Sequence, residues 1–513
     1  MGAEDNVPSY LCPMRVSLFV ALGLALSTRL AAQGSPYIPL DDPRLPAFEH
    51  LVAAGDVPDP SPFVRPFRRV DALRALDSAL TAGTARDTAL VAELRQAWRE
   101  DTAAARWEVE GHAGGEAYSN GNLDPLHPAG PSKARPYVDL GLTAVFGNVV
   151  LASRPAIETR LLDDPNWPGR KNLSVTGREV EAYVSAQFRF ASLYYGEMDQ
   201  NWGPVGLPGI GLSNYGYPHP NLALQVGNGR FRLMAQASEL ADTTDSLGQV
   251  EHRYFFAHRI DARLTHRFNL GLWETVVIGG PDRNFDARYR NPVSLLLLTN
   301  QYGLGDTGNL LLGLDMSWRV GQRVTLQAQL GLDDIQYKNT SGPTRYPDRY
   351  AFTLMATGPL LDRMAWRAYY TQASSLVFRT SNPIENFTDQ GIGLGRNYDD
   401  NDQVTFMVTR PVTSRWLISP ELTLLRQGQG RINDPVPADG TLAAGSTPTL
   451  FIGTVERTWR AAVGVSGRQG PLTLQANAGL HYIRNEYNIA GRNRTRFVGK
   501  VMATLGLGRR GRF

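Results

Sequence analysis

The chain has 513 residues, with 52 Lys and Arg against 49 Asp and Glu, a formal net charge of +3. That balance sets up no strong attraction to nucleic acid. Hydrophobic residues make up 42% and mean hydropathy is −0.27, too polar for a bundle of membrane-spanning helices.

The first stretch reads as an address. Arg15 precedes an apolar run, Val16 to Leu26, and Leu30-Ala31-Ala32 offers small residues for cleavage before Gln33. The run is too short to span a membrane, so residues 1–32 read as a secretory signal peptide, with Met14 as the expected initiator. The single cysteine, Cys12, lies before the run and is expected to leave with it, so the exported chain has no disulfide framework. No later stretch approaches the roughly 18 apolar residues of a spanning helix. The richest, Val293 to Leu298, ends at Thr299. The exported protein is therefore expected to be soluble or to cross a membrane as strands.

Residues 33–105 have a helical texture. After the extended, proline-limited segment Tyr37 to Pro43, apolar residues recur at helical spacing in three runs. These are Ala47, Leu51, Val52 and Ala54, ending at Gly55; Val70, Leu73, Leu76 and Leu80, ending at Gly83; and Leu90, Leu94, Ala97 and Trp98. A compact helical subdomain is predicted.

From residue 106 to 513 the pattern alternates. Leu310, Leu312, Leu314, Met316, Trp318 and Val320 fall on one face, with Gly313, Asp315, Ser317 and Arg319 on the other. Past Gly321-Gln322 the alternation resumes from Val324 to Asp333. This is a tight hairpin with strands of the length a tilted transmembrane strand needs. Ala461 to Val465 and Leu472 to Tyr482 make a second pair. Shorter alternating runs lie at Val138–Phe146, Val180–Phe188, Phe231–Ala237, Ile260–Leu264 and Val404–Val408. A soluble β-sandwich or propeller also alternates. Three features favour a membrane barrel instead. Arg259, Asp261 and Arg263 share a strand's polar face, Trp318, Trp366, Trp416 and Trp459 lie where interfacial girdles would, and short connections alternate with long polar ones. The long ones include Gly114–Arg135, Thr340–Arg349, Thr380–Asn401 and Gln427–Pro448. The predicted fold is an all-β transmembrane barrel of about 16–18 antiparallel strands. Val501 to Leu507 and the terminal Phe513 suit its closing strand, with Arg509, Arg510 and Arg512 as a basic interfacial flank.

One stretch has neither periodicity: Tyr194 to Gln225, with Trp202-Gly203-Pro204, Leu212-Ser213-Asn214 and Tyr217-Pro218-His219-Pro220. Aromatic faces beside amides and carboxylates suit sugars, stacking on C–H patches and bonding to hydroxyls. Asp199, Trp202, Asn214, Tyr215 and Tyr217 are the candidate polysaccharide-binding residues. The competing reading is a Gly/Pro-built loop whose Trp202 and tyrosines anchor it on its own protein. Gly203 and Pro204 favour that anchoring role for Trp202 itself, leaving ligand contact to Asn214, Tyr215 and Tyr217.

Catalytic signatures are missing. There is no Gly-x-Ser-x-Gly, no His-Glu-x-x-His and no phosphate-binding Gly-Lys-Ser/Thr loop. Gly391 to Gly395 has no helix after it, so it is not a dinucleotide site. Asn397, Asp399, Asp400, Asn401 and Asp402 carry oxygen ligands but not the calcium-loop spacing, and Asp333-Asp334 reads as a strand-end pair rather than an acid–base dyad. No cofactor and no metal are expected.

The chain resembles the Wzi-type capsule-assembly outer-membrane proteins. The resemblance runs through Tyr37 to Leu45, Trp202-Gly203-Pro204 with Leu212-Ser213-Asn214 and Pro218, Asn291-Pro292, Leu314 to Trp318, and Leu330 to Asp334. The chain departs from the family at Val205, in place of Gly, and at Tyr215-Gly216-Tyr217, in place of Asn-Ala-Arg. The resemblance implies an 18-stranded outer-membrane barrel with a periplasmic helical bundle. It further implies a non-enzymatic, lectin-like role in holding capsular or other surface polysaccharide, distinct from the export pore. The expected partners are that polysaccharide and outer-membrane lipid, with the protein a monomer. The alternatives are a passive porin and, more remotely, a membrane-embedded hydrolase.

Overall fold

The computed structural model describes residues 33–513 except 245–246, 282, 302–307, 322, 335–346 and 437–446. The signal-peptide reading and the middle of two long connections, at 340–349 and 427–448, lie outside the described residues.

Eighteen strands close into one antiparallel barrel. In chain order the first nine are β1 Ala105–Tyr118, β2 Lys133–Phe146, β3 Val149–Glu158, β4 Gly177–Gln187, β5 Ala191–Met198, β6 Asn221–Gly227, β7 Phe231–Thr244, β8 Val250–Arg263 and β9 Phe268–Gly280. The rest are β10 Asn309–Val320, β11 Val324–Asp334, β12 Arg349–Pro359, β13 Ala365–Ala373, β14 Asn401–Thr413, β15 Trp416–Gln427, β16 Glu456–Gln469, β17 Leu472–Arg484 and β18 Arg494–Arg512. Each pairs with its chain neighbours, and β1 pairs with β18, Ala113 opposite Leu505, so no edge is left open.

Alternation decides which side chain faces where, because successive residues of a strand point to opposite faces. Ile260, Leu272 and Leu314 lie in one cross-strand row, exposed on the outer wall. One residue along, Arg259, Trp273 and Asp315 point inward and are buried. Trp318, Trp366 and Trp416 ring the short-turn end, while Trp459 packs on Tyr482, 5.6 Å between ring centres, near the long-loop end. That is an apolar band between aromatic girdles.

Among the described residues, three helices precede the barrel: α1 Leu45–Ala53, α2 Arg69–Thr81 and α3 Thr88–Ala97. The predicted spacing sets their apolar stripes, and Phe48, Leu51, Leu76, Leu94 and Trp98 form their common core. Gly55 and Gly83, at φ 75° and 64°, end the first two helices in the left-handed region. Asp87 caps α3 by accepting from the Leu90 N–H at 3.0 Å.

The helices dock at the short-turn end. Asp87 meets Arg363 in the β12–β13 turn, Glu93 meets Arg415 in the β14–β15 turn at 3.3 Å, and His50 Nδ1 lies 2.7 Å from Thr409 Oγ1. The C-terminal basic residues join in. Arg510 donates to the Arg99 carbonyl at 2.9 Å, and Arg512 donates to Asp101 at 2.9 Å. Two of the three arginines expected as an interfacial flank thus clamp the subdomain, because its carbonyls and carboxylates lie within their reach. Phe513 stacks on Phe146, ring centres 4.8 Å apart.

Candidate functional site

The lumen is crossed by two segments that enter from opposite ends. Residues 57–67 rise from the helical subdomain, and the β5–β6 connection, residues 199–220, folds in from the long-loop end. They meet as a two-stranded ribbon, with Val64 opposite Trp202 and Arg65 opposite Asn201. The wall holds this ribbon with side-chain amides. Gln329 Nε2 donates to the Trp202 carbonyl at 2.7 Å and its Oε1 accepts from the Ile210 N–H at 2.9 Å. Trp202, Ile210 and Leu212 then pack on Phe255, Trp273, Val277 and Leu311 from the wall. Gly395 lets the β13–β14 connection press on this loop: a Cβ there would sit 1.8 Å from the Ile210 carbonyl oxygen.

The strand face that carries Arg259, Asp261 and Arg263 lines the lumen. At Arg259 it is dry. This side chain is fully buried between Phe63 and Trp202, paired with Asp261 at 2.7 Å and Asp315 at 2.6 Å. The reason is the inserted ribbon, which a strand-by-strand reading does not see.

Above the ribbon, the loops form an aromatic roof. The Tyr215 hydroxyl donates to Asp124 at 2.8 Å, and its oxygen lies 3.1 Å from the Tyr398 hydroxyl. The Tyr215 and Tyr398 rings meet edge to face at 5.8 Å. His127 stacks on Tyr398, ring centres 3.5 Å apart, and holds Asp124 with Nδ1 at 2.7 Å. These four residues come from three connections: β1–β2, β5–β6 and β13–β14.

A neighbouring group centres on Tyr217. Its hydroxyl donates to Asp164 at 2.6 Å, Trp167 meets its ring edge to face at 4.7 Å, and Arg178 lies 5.6 Å from its centre. Arg160, fully buried, binds Asp164 of its own β3–β4 connection at 2.8 Å and donates to the Gly121 carbonyl at 2.6 Å and the Tyr217 hydroxyl at 3.4 Å, so it ties three connections together.

Beneath the roof lies a cavity of about 550 Å³. Asn214, Tyr215, Tyr398, Asp124 and His127 line its top. Thr353, Tyr369, Thr371, Gln403 and Glu421 line its wall, and Leu45 and Glu49 of α1 its floor. The volume falls in the range of small-molecule sites, and the lining mixes rings with hydroxyls, amides and carboxylates. Tyr217 borders a second cavity of about 740 Å³, with Tyr195, His219, Glu239 and Asp389.

The structure therefore distributes the five candidate residues over four places. Asn214 and Tyr215 face the first cavity and Tyr217 the second. Trp202 is 3% exposed, inside the lumenal core. Asp199 sits half-buried just past β5, where loss of water raises its carboxyl to about 7 against the pull of Arg178. Sequence reasoning missed Asp124, His127, Trp167 and Tyr398. The signal was present in Asp164-Pro165-Asn166-Trp167-Pro168, which repeats the aromatic, amide and proline mixture of the 194–225 stretch.

The acidic stretch at 399–402 is occupied by protein partners. Asp399 pairs with Arg379 at 2.9 Å, and Asp402 with Arg426. Asp400 accepts from the N–H groups of Gly430, Phe451 and Ile452. Asp333 accepts from the Phe378 N–H at 2.8 Å and Asp334 pairs with Arg349 at 2.8 Å, so each ties a loop. Among the described residues no group of three or more His, Cys, Asp or Glu is placed to hold a metal.

Residues 95–328 match the family model described as capsule assembly protein Wzi. The matched span contains Trp202-Gly203-Pro204 and Leu212-Ser213-Asn214, on which the Wzi-type resemblance rests. The fold is similar to that of Wzi from Escherichia coli, described as an outer-membrane protein involved in group 1 capsule assembly and a carbohydrate-binding β-barrel. Identity is 16%, the match covers 93% of this chain and 99% of that one, and the TM-score is 0.60. OprD of Pseudomonas aeruginosa matches at 10% identity over 79% of this chain and 95% of that one, with a TM-score of 0.42. OccAB4 of Acinetobacter baumannii matches at 9% identity over 80% and 99%, with a TM-score of 0.44. No curated protein matches the chain in sequence.

Proposed function

We propose that this protein is a non-enzymatic, lectin-like barrel of the outer membrane that binds capsular or other surface polysaccharide and helps to hold it at the cell surface. The observation that carries the reading is the aromatic roof of Tyr215, Tyr398 and His127, with Asp124 and Asn214, over a 550 Å³ cavity. Rings stack on the apolar faces of pyranoses while amides, carboxylates and phenols bond to their hydroxyls. Asn214, Tyr215 and Tyr217 then make ligand contacts, whereas Trp202 holds the loop that presents them. The helical subdomain lies in the periplasm on this reading, and the long loops face outward.

The lumenal ribbon supports a binder over a passive channel. A porin needs a continuous wet path. Here Val64, Arg65, Asn201 and Trp202 cross the lumen, backed by the cluster around Trp273.

Binding of envelope polysaccharide from the host strain to the detergent-solubilised, full-length protein tests the proposal. Saturable binding that competes with free polysaccharide is expected. Absence of any surface-glycan binding, together with large steady conductance in planar bilayers, would replace it by the channel.

A further inference from the structure

The β9–β10 connection is described over residues 281, 283–301 and 308. It folds back over the outside of the barrel. Phe285, Tyr289 and Leu296 pack on Tyr254, Phe256, Val276 and Ile278. Those four strand residues have the same parity as the exposed Ile260 and Leu272, so they belong to the outer wall. Leu296 opens a short helix, α4 Leu296–Gln301.

The depth of this contact follows from the register. Phe268 pairs with the girdle residue Trp318 at the short-turn end. Glu274 lies six residues further along β9, on the same outer face. At about 3.4 Å per residue and a tilt of about 40°, it stands roughly 15 Å above that girdle. An outer-membrane barrel's apolar band is about 25 Å tall, so Glu274 lies within it. A carboxylate facing hydrocarbon is costly. The connection removes the cost. Glu274 accepts from the Leu296 N–H at 2.8 Å and the Leu297 N–H at 3.1 Å, and His258 of β8 lies 3.3 Å away.

The outer side of the same segment is apolar. Val293 and Leu295, just before α4, and Leu298, within it, are 76%, 57% and 46% exposed, and flank the Leu296 and Leu297 N–H groups that hold Glu274. They continue the exposed row of Leu272 and Leu314 below. Two of the segment's polar side chains bond within it: Ser294 Oγ donates to the Arg288 carbonyl at 3.1 Å, and the Tyr289 hydroxyl donates to Asn300 at 3.0 Å. Its first half carries exposed Arg288 and Arg290, suited to a phosphate layer above the apolar zone.

We infer that residues 285–301 form a lipid-embedded patch on the outer leaflet, with Val293, Leu295 and Leu298 against acyl chains. The patch replaces the bare barrel wall over β8, β9 and β10, and hides the Glu274–His258 pair from lipid. The inference rests on the outer-membrane placement proposed above.

Site-directed spin labelling tests it in the full-length protein, reconstituted in phospholipid vesicles. Labels go on Leu295→Cys and Leu298→Cys in a Cys12→Ser background, Cys12 being the single cysteine of the chain. A label on Leu272→Cys reports the belt, and one on Leu247→Cys reports the water-facing loops. Collision with oxygen exceeding collision with a water-soluble nickel chelate, as at Leu272, is the expected result for both positions. Nickel access like that at Leu247 would overturn the inference, leaving the segment in water. Protection from both reagents would also overturn it, in favour of a protein neighbour. Nickel access at Leu272 itself would instead remove the outer-membrane reading.

Discussion

The Arg259 guanidinium carbon lies 5.6 Å from the centre of the Trp202 indole, in the middle of the barrel. Phe63 takes the other contact at 5.2 Å. A wall strand, an inserted loop and the rising segment of the helical subdomain are thus tied at one cation. Trp202→Ala would leave a cavity at this junction, with a cost of about 3–5 kcal/mol. The expected outcome is a lower temperature for the shift in gel mobility of the solubilised barrel, with glycan binding per folded molecule unchanged. Lost binding with unchanged heat resistance would make Trp202 a sugar platform instead.

Arg259 itself should matter as much. It is the buried partner of both Asp261 and Asp315. Arg259→Met leaves two carboxylates in a dry interior, Asp315 without its cation and Asp261 with only Arg232 at 3.3 Å, and breaking such a buried pair costs about 3–5 kcal/mol. The double variant Arg259→Met/Asp315→Asn removes one of them and should recover part of the loss. Thermal unfolding in detergent reads both; equal midpoints for single and double variants would show that Asp315 is solvated.

The roof makes the binding prediction. Tyr215→Ala and Tyr398→Ala should each weaken polysaccharide binding by about 1–3 kcal/mol, roughly tenfold or more in Kd. Their rings touch and share the Asp124 network, so the double variant should lose less than the sum. Tyr217→Ala, next to the other cavity, should act independently. Titration calorimetry of the solubilised variants with one glycan preparation distinguishes these cases.

Much of the fold is legible in the chain because its logic is local. A strand such as Leu310–Val320 shows its two faces in consecutive residues, and α2 shows its stripe at Val70, Leu73, Leu76 and Leu80. The site is less legible because it is assembled from loops distant in sequence. Tyr215 and Tyr398 are 183 residues apart, and only closure of the barrel places their hydroxyls 3.1 Å from each other. The Trp202 ambiguity has the same origin. Gly203 and Pro204 announce a fixed backbone, but the partner strand at Val64 lies in another part of the chain.

Docking of the helical subdomain should depend on pH. His50 of α1 is 3% exposed, and burial lowers its pKa to about 4, helped by Arg86 and Arg363 and opposed by Asp87. An exposed histidine titrates near 6.5. Between these values the undocked state takes a proton that the docked state refuses, so docking weakens as pH falls, by about 1.4 kcal/mol per unit at most. Above pH 6.5 the contribution is constant. Proteolytic release of the subdomain should therefore rise from pH 6.5 towards 4, and His50→Gln should flatten that rise. An unchanged slope in the variant would assign the effect to other groups.

The last prediction concerns the lumen. If the ribbon of Val64–Arg65 with Asn201–Trp202 is what bars the path, weakening its rising half should open one. Replacing Pro62, Phe63, Val64 and Arg65 with Gly and Ser removes the Phe63 contact to Arg259 and the ion pair of Arg65 with Asp59 at 2.9 Å. The barrel should survive, because its strands are satisfied by their own ladder. The wild type should show little steady current in planar bilayers, and the variant should show discrete conductance steps while its roof still binds glycan. Large conductance in the wild type would mean that the ribbon leaves an open path and that the porin reading is the better one. Silence in both would place the barrier in the cluster of Trp273, Phe255 and Leu311, which the substitution leaves standing.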